Sequence, residues 1–173
     1  MLFSQDMNTA LNRQIGNEFS ASLQYVAVAA HFDSECLPEL AAHFYRQAEE
    51  ERAHALRFVK YVVNAGGHVD IPALPTPKCS FSGPEEAVKY ALDGEITVTH
   101  QINELLSHGV QEKDYITQNF LQWFVTEQLE EVSSTETLLR IIQRAGDNLL
   151  QVEDYLARSK PFQAAQNTGS EAG

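Results

Sequence analysis

Between Gly66 and Gly83 the chain has no helical period and carries Pro72, Pro75 and Pro77. Proline and glycine at that density end regular structure, so this stretch cuts the chain into two halves. Each half holds two long stripes of helical spacing. Leu11, Ile15, Glu18, Ser22, Tyr25, Ala29 and Phe32 make the first, and Leu40, Phe44, Gln47, Glu51, His54, Phe58 and Tyr61 the second. Val88, Ala91, Glu95, Val98, Ile102 and Leu105 make the third, and Thr117, Leu121, Phe124, Gln128, Glu131, Thr135, Leu138 and Ile142 the fourth. Steps of three and four predict amphipathic helices.

The expected limits follow from capping chemistry. The first helix runs from the N-cap Ser4 to about Asp33. The second opens at Pro38, a residue suited to a first helical turn, and stops at Gly66-Gly67. The third follows Pro84 and is expected to end at Gly109, with the fourth starting near Glu112 and stopping at Gly146. A short apolar segment, Asn148 to Leu156, reads as a fifth helix, and from Ser159 the chain is small and polar. The domain is therefore expected to span 1–158, with a tail over 159–173.

Loop length then fixes topology. Short breaks make helices one and two, and helices three and four, antiparallel hairpins. A helix of about 27 residues is ~40 Å long, and an extended connection of about 18 residues reaches ~60 Å. The central connection can run the length of the bundle. The fold class is all-α: a four-helix bundle of two antiparallel hairpins joined by one long crossover, plus a short fifth C-terminal helix.

Charge narrows the partners. Asp and Glu number 24 against 12 Lys and Arg, for a net charge of -12 in 173 residues. Nucleic acid needs a positive face, so it is not the expected partner, whereas cations are drawn to such a surface. The longest uncharged apolar run, Tyr25 to Ala30, is too short to cross a bilayer. Met1 to Asp6 shows no basic region followed by an apolar stretch. Cys36 and Cys79 have no metal-type spacing and read as reduced thiols. A cytoplasmic location is the expectation.

The stripes also contain residues that do not belong in a core. Glu51 and His54 are three apart, so they share one helical face and can close on one metal ion. Alone that pair is a weak signal. A shift of 77 residues superposes the two halves and places Glu18 on Glu95, Glu50 on Glu127, Glu51 on Gln128 and His54 on Glu131. Glu18, Glu51, Glu95 and Glu131 should meet near mid-bundle with no Lys or Arg at that level. Buried like charges raise one another's pKa until some protonate, or a cation relieves them. Four carboxylates, one imidazole and Gln128 suit two ions, and oxygen-rich ligation suits iron or manganese over copper or structural zinc. A protonated cluster or a buried water network is the alternative.

Asn17-Glu18-Phe19, Glu50-Glu51-Arg52-Ala53-His54, Asp93-Gly94-Glu95 and the run Trp123 to Val132 together resemble the bacterial non-haem ferritins, over about residues 4–158. The resemblance implies a ferritin-like bundle, a 24-subunit cage and a ferroxidase that oxidises ferrous iron with dioxygen and stores the ferric mineral. Carried over, one iron would bind Glu18, Glu51 and His54, and the second Glu51 as bridge, Glu95 and Glu131. Gln128 would lie beside a bound oxygen species. Glu50, Glu127 and Glu130 resemble the ligands of a third, transit iron site; an acidic surface patch is the other reading. Tyr25 suits either a redox or hydrogen-bonding role beside the irons or core packing, and Trp123 suits the core. Arg52 stands where bacterioferritins place a haem-ligating Met, so no haem is expected. Glu112 and Asp114 are candidates for an acidic pore lining.

Two other functions fit less of this pattern. A cage could nucleate mineral passively, without a catalytic centre. A di-metal enzyme acting on an organic substrate or peroxide would need a pocket to the metals and no cage.

Overall fold

The computed structural model describes residues 1–166, and side chains as far as Ser159. Five helices make up the fold: α1 (Gln5–Ser34), α2 (Pro38–Asn64), α3 (Pro84–Glu112), α4 (Tyr115–Ala145) and α5 (Leu149–Gln166). Helices α1 and α2 form one antiparallel hairpin and α3 and α4 the other, with α1 against α3 and with α5 packed on α2 and α4. No helix is long and apolar enough among the described residues to cross a membrane.

The ends follow the expected chemistry in most places. Ser4 Oγ accepts from the backbone N–H of Met7 and caps α1, while Pro38 opens α2. Gly146, at φ 54°, stops α4. Two boundaries differ. Gly109 does not end α3, which continues to Glu112 and turns at Lys113 in the left-handed region. A Cβ at Gly109 would lie 3.3 Å from Gln118 Cγ, so this glycine admits α4 rather than breaking α3. The fifth helix runs on to Gln166 rather than ending near Leu156. Residues 167–173 of the expected tail lie outside the described residues.

The crossover is held by a polar ridge on α1 that the apolar stripe conceals. Asn8, Asn12, Gly16 and Gln24 recur at multiples of four, so they trace a ridge that winds slowly around α1 as the crossover runs along it. Asn8 Oδ1 accepts from the N–H of His68, and Asn12 Oδ1 from the N–H of Asp70. Both amides donate to the His68 carbonyl. Gln24 accepts from the N–H of Lys78 and donates to its carbonyl. Gly16 lets Pro72 lie against the helix: a Cβ there would be 2.4 Å from Pro72 Cγ. Two-ended amide contacts of this kind satisfy loop backbone groups that have no regular partner.

The core is split in two. One cluster gathers Tyr25, Val28, Phe32, Leu40, Phe44, Val88, Leu138 and Val152. The other gathers Met7, Leu11, Ile15, Phe58, Ile102, Leu121 and Phe124. Along all four long helices the polar residues of the stripes lie between these clusters, and that layer is the candidate site.

Candidate metal centre

Each long helix brings one carboxylate to the layer. Glu18 comes from α1, Glu51 from α2, Glu95 from α3 and Glu131 from α4, and they are 0, 1, 2 and 6 % exposed. His54, one turn beyond Glu51, is also buried, and its Nδ1 lies 3.4 Å from Glu51 Oε2. Ligand atoms of Glu18, Glu51 and His54 all fall within 4.8 Å of one another. These are the three residues of the first expected ligand set, an inner trio brought together by α1 and α2.

The second set is arranged differently from the expectation. Glu131 falls within 4.8 Å of His54 and the half-buried Glu127, and these three make an outer trio. The oxygens of Glu51, Glu95 and Glu131 form no such group among the described residues. Hydrogen bonds account for the spread. Tyr25 Oη donates to Glu95 Oε1, and Gln128 also donates to Glu95. Glu131 Oε2 has Gln47 Nε2 at 3.4 Å. Of the remaining candidates, Glu50 and Glu130 are exposed, and Glu50 accepts from Gln47.

The electrostatics are those of an anionic cluster lacking a counter-charge. Burial pushes Glu18 well above the usual carboxylate range, and the negative charge of Glu51 adds to it. Burial raises Glu51 well above its usual value, with Glu95 and Glu131 adding to the shift. Glu95 is raised by burial, against the donors Tyr25 and Gln128. Glu131 is pushed up to about 9 by burial and by the charges of Glu95 and Glu50. Tyr25 is raised by burial and by Glu95. Glu18 Oε2, both oxygens of Glu51, Glu95 Oε2 and His54 Nδ1 are buried with no hydrogen-bond partner from the protein. Orphaned buried oxygens demand an explanation, and a divalent cation with oxygen and imidazole ligands supplies one.

Other side chains hold the ligands in place. Gln14 Nε2 donates to Glu18 Oε1 at 2.8 Å, and Thr99 Oγ1 lies 2.9 Å from Gln128 Oε1. The His54 ring meets Trp123 edge-on at 5.3 Å, and the Arg57 guanidinium sits 3.9 Å over Trp123. Sequence reading missed Gln14, Thr99 and Gln47. Gln14 had a visible signal, one turn before Glu18 on the same face. Arg52 is exposed and pairs with Glu49 at 3.9 Å. Asp114 caps α4 by accepting from the N–H of Thr117, and Glu112 accepts from Ser4 Oγ, so both pore candidates already have bonds within the subunit.

This arrangement has counterparts. The ferritin-like domain model matches residues 8–145. The chain belongs to the ferritin family. Ferritin BfrB of Mycobacterium tuberculosis is 47% identical over 148 residues, covering 86% of this chain and 82% of that protein. A bacterial non-heme ferritin of Staphylococcus aureus is 37% identical over 147 residues, covering 85% and 89%. Among solved structures, an open pore ferritin from Archaeoglobus fulgidus superposes with a TM-score of 0.87 at 34% identity, covering 90% of this chain and 96% of that one. Within this ferritin, the matched region 8–145 contains every residue of both trios and Glu95.

Proposed function

We propose that this chain is the subunit of an iron-storing ferritin in the cytoplasm, one that takes ferrous iron as substrate and oxidises it with dioxygen. The ferric product is kept as an oxyhydroxide mineral inside a hollow cage of 24 copies. The observation that carries this reading is the mid-bundle layer: four buried carboxylates from four helices, three of them (Glu18, Glu51 and Glu95) with oxygens that no protein donor reaches, and no lysine or arginine among the main groups acting on them. Membership of the ferritin family supports the same reading.

The residues divide the work. Glu18, Glu51 and His54 bind the first ferrous ion, and the two carboxyl groups, both raised by burial, give up their protons to it. As the resemblance implies, Glu95 and Glu131, with Glu51 as bridge, take the second, which requires these carboxylates to close from their wider spacing in the metal-free chain. Glu131 gives up a proton as the cation arrives. Each iron gives one electron, and one dioxygen accepts the pair with two protons to leave peroxide. Oxygen ligands favour the ferric product, and the fixed positions of the four helices supply proximity. Tyr25 and Gln128 orient Glu95. Glu50, Glu127 and Glu130 pass iron to and from the centre. Hydrolysis of ferric iron releases protons, so acid slows uptake.

The test is iron oxidation in air together with native mass. The wild-type protein is expected to oxidise ferrous iron far faster than buffer, and Glu51→Ala with His54→Ala to lose that rate while keeping the cage. Unchanged oxidation in the double variant would mean passive storage, and a small native mass would remove the cage.

A further inference from the structure

Gln47 has no part in the ligand sets above, yet it touches both regions of the site. It lies on α2, one turn before Glu51, and is 8 % exposed. Its Nε2 carries two N–H bonds and meets two carboxylates. One is Glu50 on its own helix; the other is Glu131 on α4, where Oε2 is 3.4 Å away. Among the described residues, Gln47 is the one side chain that donates a hydrogen bond to the Glu131 carboxylate.

Glu131 stands at a junction. Its charge acts on Glu51 in the inner trio, and its oxygen belongs with His54 and Glu127 in the outer one. Glu95, Glu127, Glu130 and Glu50 all repel it. Without a donor, a carboxyl crowded by four others would have nothing to fix its direction once it ionises. A neutral amide answers this without adding charge, and its reach across the α2–α4 seam sets where the carboxylate rests.

We propose that Gln47 is a positioning residue that holds Glu131 with His54 and Glu127, so that the outer trio is assembled before a divalent cation arrives. This rests on the reading of the site as a metal centre. The outer position then depends on Gln47, whereas the inner trio does not. Outer-sphere hydrogen bonds tune metal affinity by about 10–100-fold.

The probe is Co(II), titrated into the metal-free assembled protein by calorimetry and followed by its visible spectrum. Glu127→Gln marks which binding event belongs to the outer trio. Gln47→Met keeps the length of the side chain and removes both donors. It is expected to weaken the outer event by about tenfold, to leave the inner event within about twofold, and to leave the spectrum of the inner ion unchanged. Gln47→Asn, one methylene too short to span the seam, is expected to give the same split. In iron oxidation, where Glu131 also holds the second iron, turnover is expected to slow from the first cycle. Identical isotherms for wild type and both variants would overturn the proposal. So would a parallel loss of both events with a lowered melting temperature, which would make Gln47 a packing residue. Absence of Co(II) binding in the wild type would instead overturn the metal-centre reading itself, and the proposal with it.

Discussion

Gln14 donates its side-chain amide to Glu18 Oε1 at 2.8 Å, one helical turn away, and leaves Glu18 Oε2 buried without a partner. One oxygen is held while the other is free for a ligand bond. The same donor favours the ionised form of Glu18 against burial. A hydrogen bond to a charged group is worth about 1.5–3 kcal/mol, so Gln14→Met is expected to weaken Co(II) binding at the inner trio by roughly tenfold or more at neutral pH. The pH at which binding is half complete moves upward. A titration at several pH values checks both, and an unchanged midpoint would remove Gln14 from the site.

Glu51 is crowded by other carboxylates, with Glu95, Glu131 and Glu50 all raising it. Replacing it by Gln removes a buried carboxyl whose ionisation burial and its acidic neighbours oppose. Relieving this crowding stabilises by about 1–2 kcal/mol, or roughly 2–8 °C in a chain of this size. Glu51→Gln should therefore melt higher than wild type without metal and gain nothing when Co(II) is added. A residue kept for stability alone would show the opposite: a lower melting point and unchanged metal stabilisation.

The pH dependence of the metal-free protein has a definite sign. Glu131 titrates near 9 in the folded chain, against an ordinary value of 4.5. Between those values the folded state holds a proton that the unfolded state has lost. Stability from this group is thus full below about 4.5 and is lost as pH rises through about 9. Glu18, Glu51 and Glu95 are raised as well and act in the same direction. The melting temperature of the metal-free protein is expected to fall from pH 6 to pH 8.5. Saturating Co(II) should reverse the slope, because the ligands must be ionised to bind. Calorimetric scans at four pH values with and without the metal test this.

How much of this was legible in the sequence depends on the range of the interaction. The stripes named the helices because burial acts with the helical period. The acidic residues stood out because nothing else in a stripe is charged, and the 77-residue shift aligned Glu18 with Glu95 and His54 with Glu131. The halves are unequal in side-chain contact. Gln24 matches Gln101 in that register, yet Gln24 clamps Lys78 on the crossover and Gln101 faces Gln14. The arrangement of Glu131 with Glu127, rather than with Glu51 and Glu95, was not legible, because it depends on which donor each carboxylate finds across a helix seam. Gly109 was misplaced because a missing side chain serves a helix end and a close helix contact equally well. The length of α5 was hidden because its second half lacks an apolar stripe.

Gly16 tests the crossover independently of the metal. Adding a Cβ there brings it to 2.4 Å from Pro72 Cγ and 3.0 Å from Pro72 Cδ, so the loop must move off α1. Forced insertion of one methyl into a tight contact costs about 1–3 kcal/mol. Gly16→Ala is expected to lower the melting temperature accordingly and to speed hydrogen exchange at the His68 and Asp70 amides, which Asn8 and Asn12 hold. Inner-trio Co(II) affinity should stay within about twofold. Unchanged exchange would show that the loop does not rely on this approach.

One side chain of the fifth helix caps α2. Leu37 stands at the N-cap of α2 and offers no side-chain oxygen, so the first free amides of α2 need another partner. Glu153 of α5 provides it: Oε2 accepts from the N–H of Glu39 at 2.8 Å and Oε1 from that of Leu40 at 3.0 Å. A carboxylate at a helix N-terminus also meets the positive end of the helix dipole. Beneath it Val152 is fully buried, and Leu149 and Leu156 pack on the same core cluster. Losing a cap of this kind costs about 1–2 kcal/mol, or roughly 2–8 °C here. Glu153→Ala should show that loss, faster exchange at the Leu40 amide and earlier proteolysis within α5. Glu153→Gln, which keeps one oxygen, should fall between. If Glu153→Ala melted like wild type with α5 equally protected, the apolar contacts of Val152 alone would be holding the helix.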